Sequence, residues 1–402
     1  MKVLIVDDQP HNVLLLETLL EKKYETISTY NGLDALEIIE KNKIDLVLLD
    51  ILMPHIDGFE VLKRIKENTR IHDTKVIMVT CKTDMADIKH ALQIGASDYI
   101  KKPIDTTELF SKLETQQKLI SKQKQVEEYQ VYANIHETMI LAKHLQYSLL
   151  PDKDTFAQIF PQSFVIFLPR DIVSGDIYFT SQINGKTFFA LIDSASHGVP
   201  AAMLSIMTYM ILNDIVNKQR VTSPEKVARY VHSELKLHLY KSKDIYNQTG
   251  SIDAVFCEYD EQSQKLNYAS AKRPIILIRN NKKDLEINNI QQVPATVGDD
   301  NSLYNLNGSR NEISIDHEIE DFELQYLTIS PGDTIYLYTD GYTDQIGGYK
   351  NKRFTKKQFY DNLLSIQKKN MSAQKMELYN LYADWSLNFE QTDDILILGI
   401  RF

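Results

Sequence analysis

The chain has 402 residues, 43% hydrophobic and 25% charged, with a net charge of -10 and a pI near 5.5. This is ordinary globular material, enough for two or three domains, and its acidity argues against a broad nucleic-acid footprint, which would be basic. Two cysteines, Cys81 and Cys257, lie far apart without metal spacing or a disulfide framework, as in a reducing cytosol. The start, MKVLIVDD, holds too short an apolar run for a signal peptide. The longest apolar run, AAMLSIMTYMIL, falls below the ~20 residues of a membrane span and reads as a buried helix. A cytoplasmic protein that engages neither membrane nor nucleic acid is expected.

From residue 1 to 115, short apolar runs alternate with helical periodicity. VLIV, DLVLLD, KVIMVT and DYIKKP read as strands; NVLLLETLLEKK, LDALEIIEKN, FEVLKRIKEN and MADIKHALQIG read as helices with apolar faces at i, i+3, i+4. Such alternation implies a doubly wound parallel sheet with helices on both faces, and ligands in such sheets sit at the carboxyl ends of strands. Four of those ends carry polar residues: Asp7 and Asp8, Asp50, Thr80 and Lys101. Clustered carboxylates repel, and a hard divalent ion would offset the repulsion. Asp50 could then accept a phosphoryl group held by Thr80 and Lys101.

In the order VDD, LLDILMPHIDGFEVL, VT, GASDYIKKP, the segment resembles the receiver domain of two-component response regulators. The resemblance implies a flavodoxin-like five-stranded α/β fold and Asp50 as phosphoacceptor. It implies Mg²⁺ held by Asp7, Asp8, Asp50 and the carbonyl of Leu52. It makes Thr80 and Lys101 the phosphate sensors and Tyr99 the aromatic that moves with Thr80. A sensor histidine kinase or phosphotransfer protein is the implied donor.

Residues 116–150 contain no Gly or Pro, and helix formers dominate. As one helix they would span about 50 Å. Leu119, Val126, Ala133 and Ile140 repeat every seven residues among mostly polar partner positions. That leaves two readings: a parallel coiled coil that makes a homodimer, or a solvated or domain-packed helix.

From 151 to 402 the pattern changes. SFVIFL, KTFFALID, DAVFCEYD, KLNYAS, PIILIRN, DTIYLYTD and DDILILGIRF read as strands, and helices are expected near 198–217, 223–240, 355–368 and 373–388. Strand blocks between helix pairs suggest α+β layers. Acids recur at strand ends or turns: Asp176, Asp193, Asp340 and Asp393. If the fold brings them together they require cations, and oxygen-only ligands favour Mg²⁺ or Mn²⁺ over zinc. Two ions sharing a bridging carboxylate can activate water and orient a phosphate for in-line attack.

VSGDIY, LIDSASHGVPAAM, SIDAVFCEYD with LNYASAKRP, PGDTIYLYTDGYTD and TDDI resemble the SpoIIE-type branch of the metal-dependent PPM serine/threonine phosphatases, in family order. The resemblance implies an αββα sandwich holding two Mn²⁺ or Mg²⁺. Asp193 would bridge both ions. The Ser194 carbonyl and Asp176 would bind one, and Asp340 and Asp393 the other. Water would attack a phosphoserine or phosphothreonine directly, and the implied substrate is an anti-sigma-factor antagonist or similar regulator. The chain departs from the family at Ser196, Phe179, Leu396 and Lys272-Arg273, which motivates an alternative: a weak or inactive phosphatase that sequesters a partner. His197 is expected to be structural, because metal-activated water needs no side-chain nucleophile.

Overall fold

The computed structural model of the chain describes residues 1–402 except 82–84, 152, 196, 240–249, 281–284, 288–289, 292–294, 315–321, 350 and 388. The residues form two compact units, Met1–Asn134 and Ile135–Phe402. Ser196, one of the departures noted above, lies outside the described residues.

The first unit runs β1 (Lys2–Val6), α1 (Pro10–Leu20), β2 (Glu25–Thr29), α2 (Gly32–Lys41), β3 (Leu46–Asp50), α3 (Gly58–Glu67), β4 (Lys75–Thr80), α4 (Met85–Ile94), β5 (Asp98–Lys101) and α5 (Thr106–Leu149). Its five strands lie in the order β2-β1-β3-β4-β5, all parallel. Side chains alternate between two cores, as strands with both faces covered require. Leu4, Val6, Val47, Leu49, Val76 and Met78 face α2, α3 and α4. Val3, Ile5, Leu46, Leu48, Ile77 and Val79 face α1 and the start of α5. Each such buried aliphatic contributes about 1.5–3 kcal/mol. The edge strand β2 was not among the four strands read from the sequence. Its residues, ETIST, are too polar to stand out, and an edge position tolerates that.

Helix α5 begins ten residues before the expected connector and runs 44 residues without a break. Leu109, Leu113 and Gln116 are buried, whereas Leu119, Val126, Tyr129, Val131, Tyr132, Ile135 and Ile140 are exposed. The next buried residue is Gln146, 1% exposed.

The second unit continues with α6 (Lys153–Ile159), β6 (Ser163–Leu168), β7 (Asp176–Ile183), β8 (Lys186–Ser194), α7 (Val199–Leu212), α8 (Pro224–Leu239), β9 (Ser251–Asp260), β10 (Lys265–Ala271) and β11 (Ile275–Asn280). One antiparallel sheet sets β7, β8, β9, β10 and Gln325–Thr328 side by side. The other sets Asn301–Leu306, β11, Thr334–Tyr338, Ile395–Arg401 and β6 side by side. Phe189, Leu191, Val255 and Cys257 of the first sheet meet Leu277, Ile335, Leu337 and Leu398 of the second. On the outer face of the first sheet, Phe188, Ala190, Ile192 and Phe256 pack under α7 and α8. On the outer face of the second, Ile276, Tyr336 and Ile397 pack under helices Lys356–Ser365 and Met371–Ser386. The layers are helix, sheet, sheet, helix: an αββα sandwich.

Val199–Lys218 is long and apolar enough to match a membrane-crossing helix, but half of that stretch is buried, and α7 packs on β7, β8 and α8.

Candidate functional site

The first acidic cluster forms at the carboxyl ends of β1 and β3. Oxygen atoms of Asp7, Asp8 and Asp50 all lie within 4.8 Å of one another, with Asp7 and Asp50 buried. Lys102 Nζ donates to Asp7 Oδ2 at 2.7 Å and Asp50 Oδ1 at 2.9 Å. Burial raises the Asp50 carboxyl above the usual range, with the Lys102 ammonium opposing. Burial alone would depress Lys102, but its bonds to Asp7 and Asp50 outweigh it and raise the ammonium. Asp8 Oδ1 is buried with no hydrogen-bond partner among the described residues. An orphaned carboxylate oxygen beside two more acids is the donor chemistry of a hard divalent ion.

One expectation needs correction. Lys101 sits opposite Thr80 in the β4–β5 register but is exposed, and the ammonium at the cluster belongs to Lys102. The reason is strand alternation: Ile100 is buried and Lys101, the last residue of β5, faces away, whereas Lys102 lies just past the strand end, in a bend. Thr80 is buried at the end of β4, and its carbonyl accepts from Lys102 N at 2.8 Å. Tyr99 is half-buried on β5, with Lys112 Nζ 4.4 Å over its ring. Leu52 is exposed in the loop after β3.

The second cluster follows from register. Asp176 on β7 lies opposite Asp193 on β8, which lies opposite Asp253 on β9. Directly opposed residues share a face about 5 Å apart. That face is the one that carries Tyr178, Leu191 and Val255 into the inter-sheet core. The acids therefore form a row at the mouth between the two sheets. Asp340 follows strand Thr334–Tyr338, and Asp393 precedes strand Ile395–Arg401, so the second sheet supplies two more.

Second-sheet groups fix this mouth. Thr339 Oγ1 donates to Asp176 Oδ2 at 2.7 Å and accepts from Leu396 N at 2.9 Å. The hydroxyl beside Asp176 thus comes from Thr339, and Leu396 buries its side chain in the core. Asp394 accepts from the amides of Arg170 at 2.7 Å and Gly175 at 2.6 Å, holding the loop that enters β7. Gly341 is obligatory there: a Cβ would lie 2.0 Å from the Asp394 carbonyl oxygen. Gln146 of α5 binds the same loop, donating from Nε2 to Ser174 O at 2.6 Å and accepting from Ser174 N at 3.0 Å. Ser194 Oγ lies 2.9 Å from Ser205 Oγ on α7. His197 Nδ1 lies 3.2 Å from Asp171 Oδ2 and ties two loops together. Phe179 packs 5.3 Å from the Tyr209 ring under α7, on the face away from the acids.

Arg273, between β10 and β11, reaches into the acid row. Its Nη2 is 2.5 Å from Asp193, 2.9 Å from Asp340 and 3.2 Å from Asp253. Burial raises Asp193 to about 8; Arg273 opposes the rise, and Asp340, Asp253 and Asp393 add to it. Asp176 is raised by burial and by Asp193, and Asp253 and Asp393 chiefly by burial. An all-oxygen set this crowded suits hard divalent ions in kind. Among the described residues, however, only Asp7, Asp8 and Asp50 close to mutual 4.8 Å; the second set is spread around the guanidinium.

Sequence reading missed Asp253 and the reach of Arg273. Asp253 looks like the polar member of an alternating strand, and only its alignment with Asp193 reveals it.

Two family models match the chain: the response regulator receiver domain over residues 3–114 and Stage II sporulation protein E (SpoIIE) over residues 183–402. A probable cyclic di-GMP phosphodiesterase of Vibrio cholerae is 39% identical over 113 residues, 28% of this chain and 26% of that protein. Response regulator ArlR of Staphylococcus saprophyticus is 37% identical over 113 residues, 28% of this chain and 50% of that protein. The chain thus spans a quarter to a half of the curated relatives it matches. Among solved structures, the SiaA-PP2C domain of Pseudomonas aeruginosa superposes with TM-score 0.56 at 23% identity, covering 68% of this chain and 98% of that one, a likeness of fold. The chain belongs to the SpoIIE family, with a SpoIIE-type PPM phosphatase domain behind a response-regulator receiver domain.

Proposed function

We propose that this response regulator accepts a phosphoryl group on Asp50 from a sensor histidine kinase or phosphotransfer protein. Its C-terminal unit then hydrolyses a phosphoserine or phosphothreonine protein in the cytoplasm. The substrate class we favour is a small anti-sigma-factor antagonist, by family resemblance. Domain limits of 1–115, 116–150 and 151–402 accompany this reading, with dimerisation through the connector. The exposed Leu119, Val126 and Ile140 support that dimer.

One observation carries the enzymatic reading: three opposed aspartates on neighbouring strands meet two more from the facing sheet. Asp176, Asp193, the Ser194 carbonyl, Asp340 and Asp393 would hold two Mn²⁺ or Mg²⁺. When bound, such ions supply charge neutralisation and an activated water for in-line displacement at phosphorus. The chain's own part is to hold Asp176 by the Thr339 hydroxyl and to fix its loop through Asp394 and Gln146. In the receiver, Asp7, Asp8, Asp50 and the Leu52 carbonyl would hold Mg²⁺. Lys102 would pair with the incoming phosphoryl oxygens, with Thr80 and Tyr99 responding.

A second reading, a binding module without turnover, is favoured by the placement of Arg273 among the acids. The deciding experiment is phosphate release from a phosphoserine protein with Mn²⁺, with and without acetyl phosphate. Release that Asp193→Asn abolishes supports the phosphatase, and no release under any condition supports the binding module.

A further inference from the structure

Arg273 is held with care. Lys272 takes φ +60°, a conformation side chains rarely adopt, and Arg273 N donates to Ala271 O at 2.8 Å, closing a tight turn. Ser270 Oγ donates to the Arg273 carbonyl, and Lys272 N to Ser309 O at 3.0 Å. Lys272 Nζ binds Glu312 and lies 3.7 Å from Asp253. The turn is thus pinned at every polar backbone group named, and it delivers one guanidinium nitrogen to three carboxylates on two sheets. Two of these, Asp193 and Asp340, are among the acids expected to bind the divalent ions. The third, Asp253, has no such assignment.

The placement is not fully satisfied. All three ion pairs use Nη2, and Nε is buried with no hydrogen-bond partner among the described residues. A buried unpaired donor costs free energy. A guanidinium keeps its charge in any environment, so it offsets carboxylate repulsion whether or not an ion is present. Arg273 Nη2 already occupies one carboxylate oxygen each of Asp193 and Asp340, so an ion taking those oxygens must displace it.

We propose that Arg273 is an intramolecular competitor of the divalent ion: it occupies the Asp193–Asp340 position until metal displaces it, with Asp253 as the anchor to which it retreats. The proposal rests on the metal-binding part of the functional reading. It predicts that metal uptake is limited by the guanidinium rather than by the acids.

The test uses the full chain carrying Asp8→Asn, which silences the receiver cluster, and Mn²⁺ alone as probe, with free Mn²⁺ measured by electron paramagnetic resonance. Arg273→Gln is expected to bind Mn²⁺ in the C-terminal unit at least 10-fold more tightly than the parent. Arg273→Lys reaches fewer carboxylates and is expected to bind at least 3-fold more tightly. In chelator, Arg273→Gln melts below the parent, and saturating Mn²⁺ closes the gap. Equal or weaker Mn²⁺ binding by Arg273→Gln overturns the proposal. If that variant does not fold, unchanged binding by Arg273→Lys overturns it instead. Phosphate release is read separately: its absence at saturating Mn²⁺ sinks the phosphatase reading and leaves the binding comparison standing.

Discussion

The two units solve one electrostatic problem in different ways. In the receiver, acids from β1 and β3 meet Lys102, whose ammonium touches two carboxylates and leaves Asp8 with an orphan oxygen. In the phosphatase unit, acids from two sheets meet Arg273, and one nitrogen touches three of them. In the receiver cluster the oxygens of Asp7, Asp8 and Asp50 close to within 4.8 Å of one another. The other cluster has its centre taken, and its Asp193 is pushed up to about 8 despite the guanidinium. Two loop-borne cations thus sit differently among their acids, Lys102 spanning two carboxylates and Arg273 three.

The largest effects break one cluster and spare the other. Asp193→Asn should cut phosphate release by at least about 100-fold, the scale of losing one preorganised charged group at a reacting phosphate. Asn keeps the size of the carboxylate and an oxygen that can accept from Arg273, so far-UV circular dichroism should hold; preserved turnover would refute the assignment. Asp50→Asn should abolish labelling by acetyl phosphate while leaving Mn²⁺-dependent melting of the second unit unchanged. Persistent label would show that another residue is the acceptor.

Next comes the lysine pair. Lys102→Gln should lower the extent of acetyl-phosphate labelling about 10-fold, as loss of a charge-assisted contact does, and Lys101→Gln less than about 2-fold. The reverse ranking would restore Lys101 to the cluster.

The pH response sharpens the contrast. Asp193 binds its proton more tightly folded than unfolded, rising from 3.8 to about 8. The folded state thus holds the extra proton between those values, and metal-free stability falls as pH rises through that window, by on the order of a few kcal/mol at most. Urea unfolding at pH 5 and pH 8 in chelator should show the drop. Mn²⁺, which binds the ionised form, should flatten it, and Asp193→Asn should remove the Asp193 part of it.

The smallest effect tests the loop beside Asp176. Gln146→Leu removes two hydrogen bonds to the Ser174 backbone and should cost about 1–3 kcal/mol. Val126→Ala on the exposed stretch of α5 should stay within about 0.5 kcal/mol in the monomer.

Much of this was legible because receiver chemistry sits at strand ends inside contiguous motifs such as VDD and LLDILMP. The error at Lys101 is one residue wide, because composition cannot say where a strand's alternation stops. Strand β2 escaped because ETIST lacks the apolar residues that mark central strands. In the second unit, Asp176, Asp193, Asp340 and Asp393 stood out as acids beside apolar runs. Asp253 did not, because its significance lies in the pairing of β8 with β9. The Lys272-Arg273 departure was visible, but its meaning was not: Arg273 finds Asp340 67 residues along the chain, and only the assembled sandwich brings them together.

The alignment of β7, β8 and β9 also makes the site a witness to correct assembly. Along β8, Phe188, Ala190 and Ile192 pack under the helices, and Phe189 and Leu191 pack between the sheets. A slip of one residue would turn Asp193 toward α7 and put apolar side chains in the mouth. A chain that has mispaired its strands therefore also loses the acid row, so under the proposed phosphatase reading turnover would report on folding fidelity as well as on chemistry.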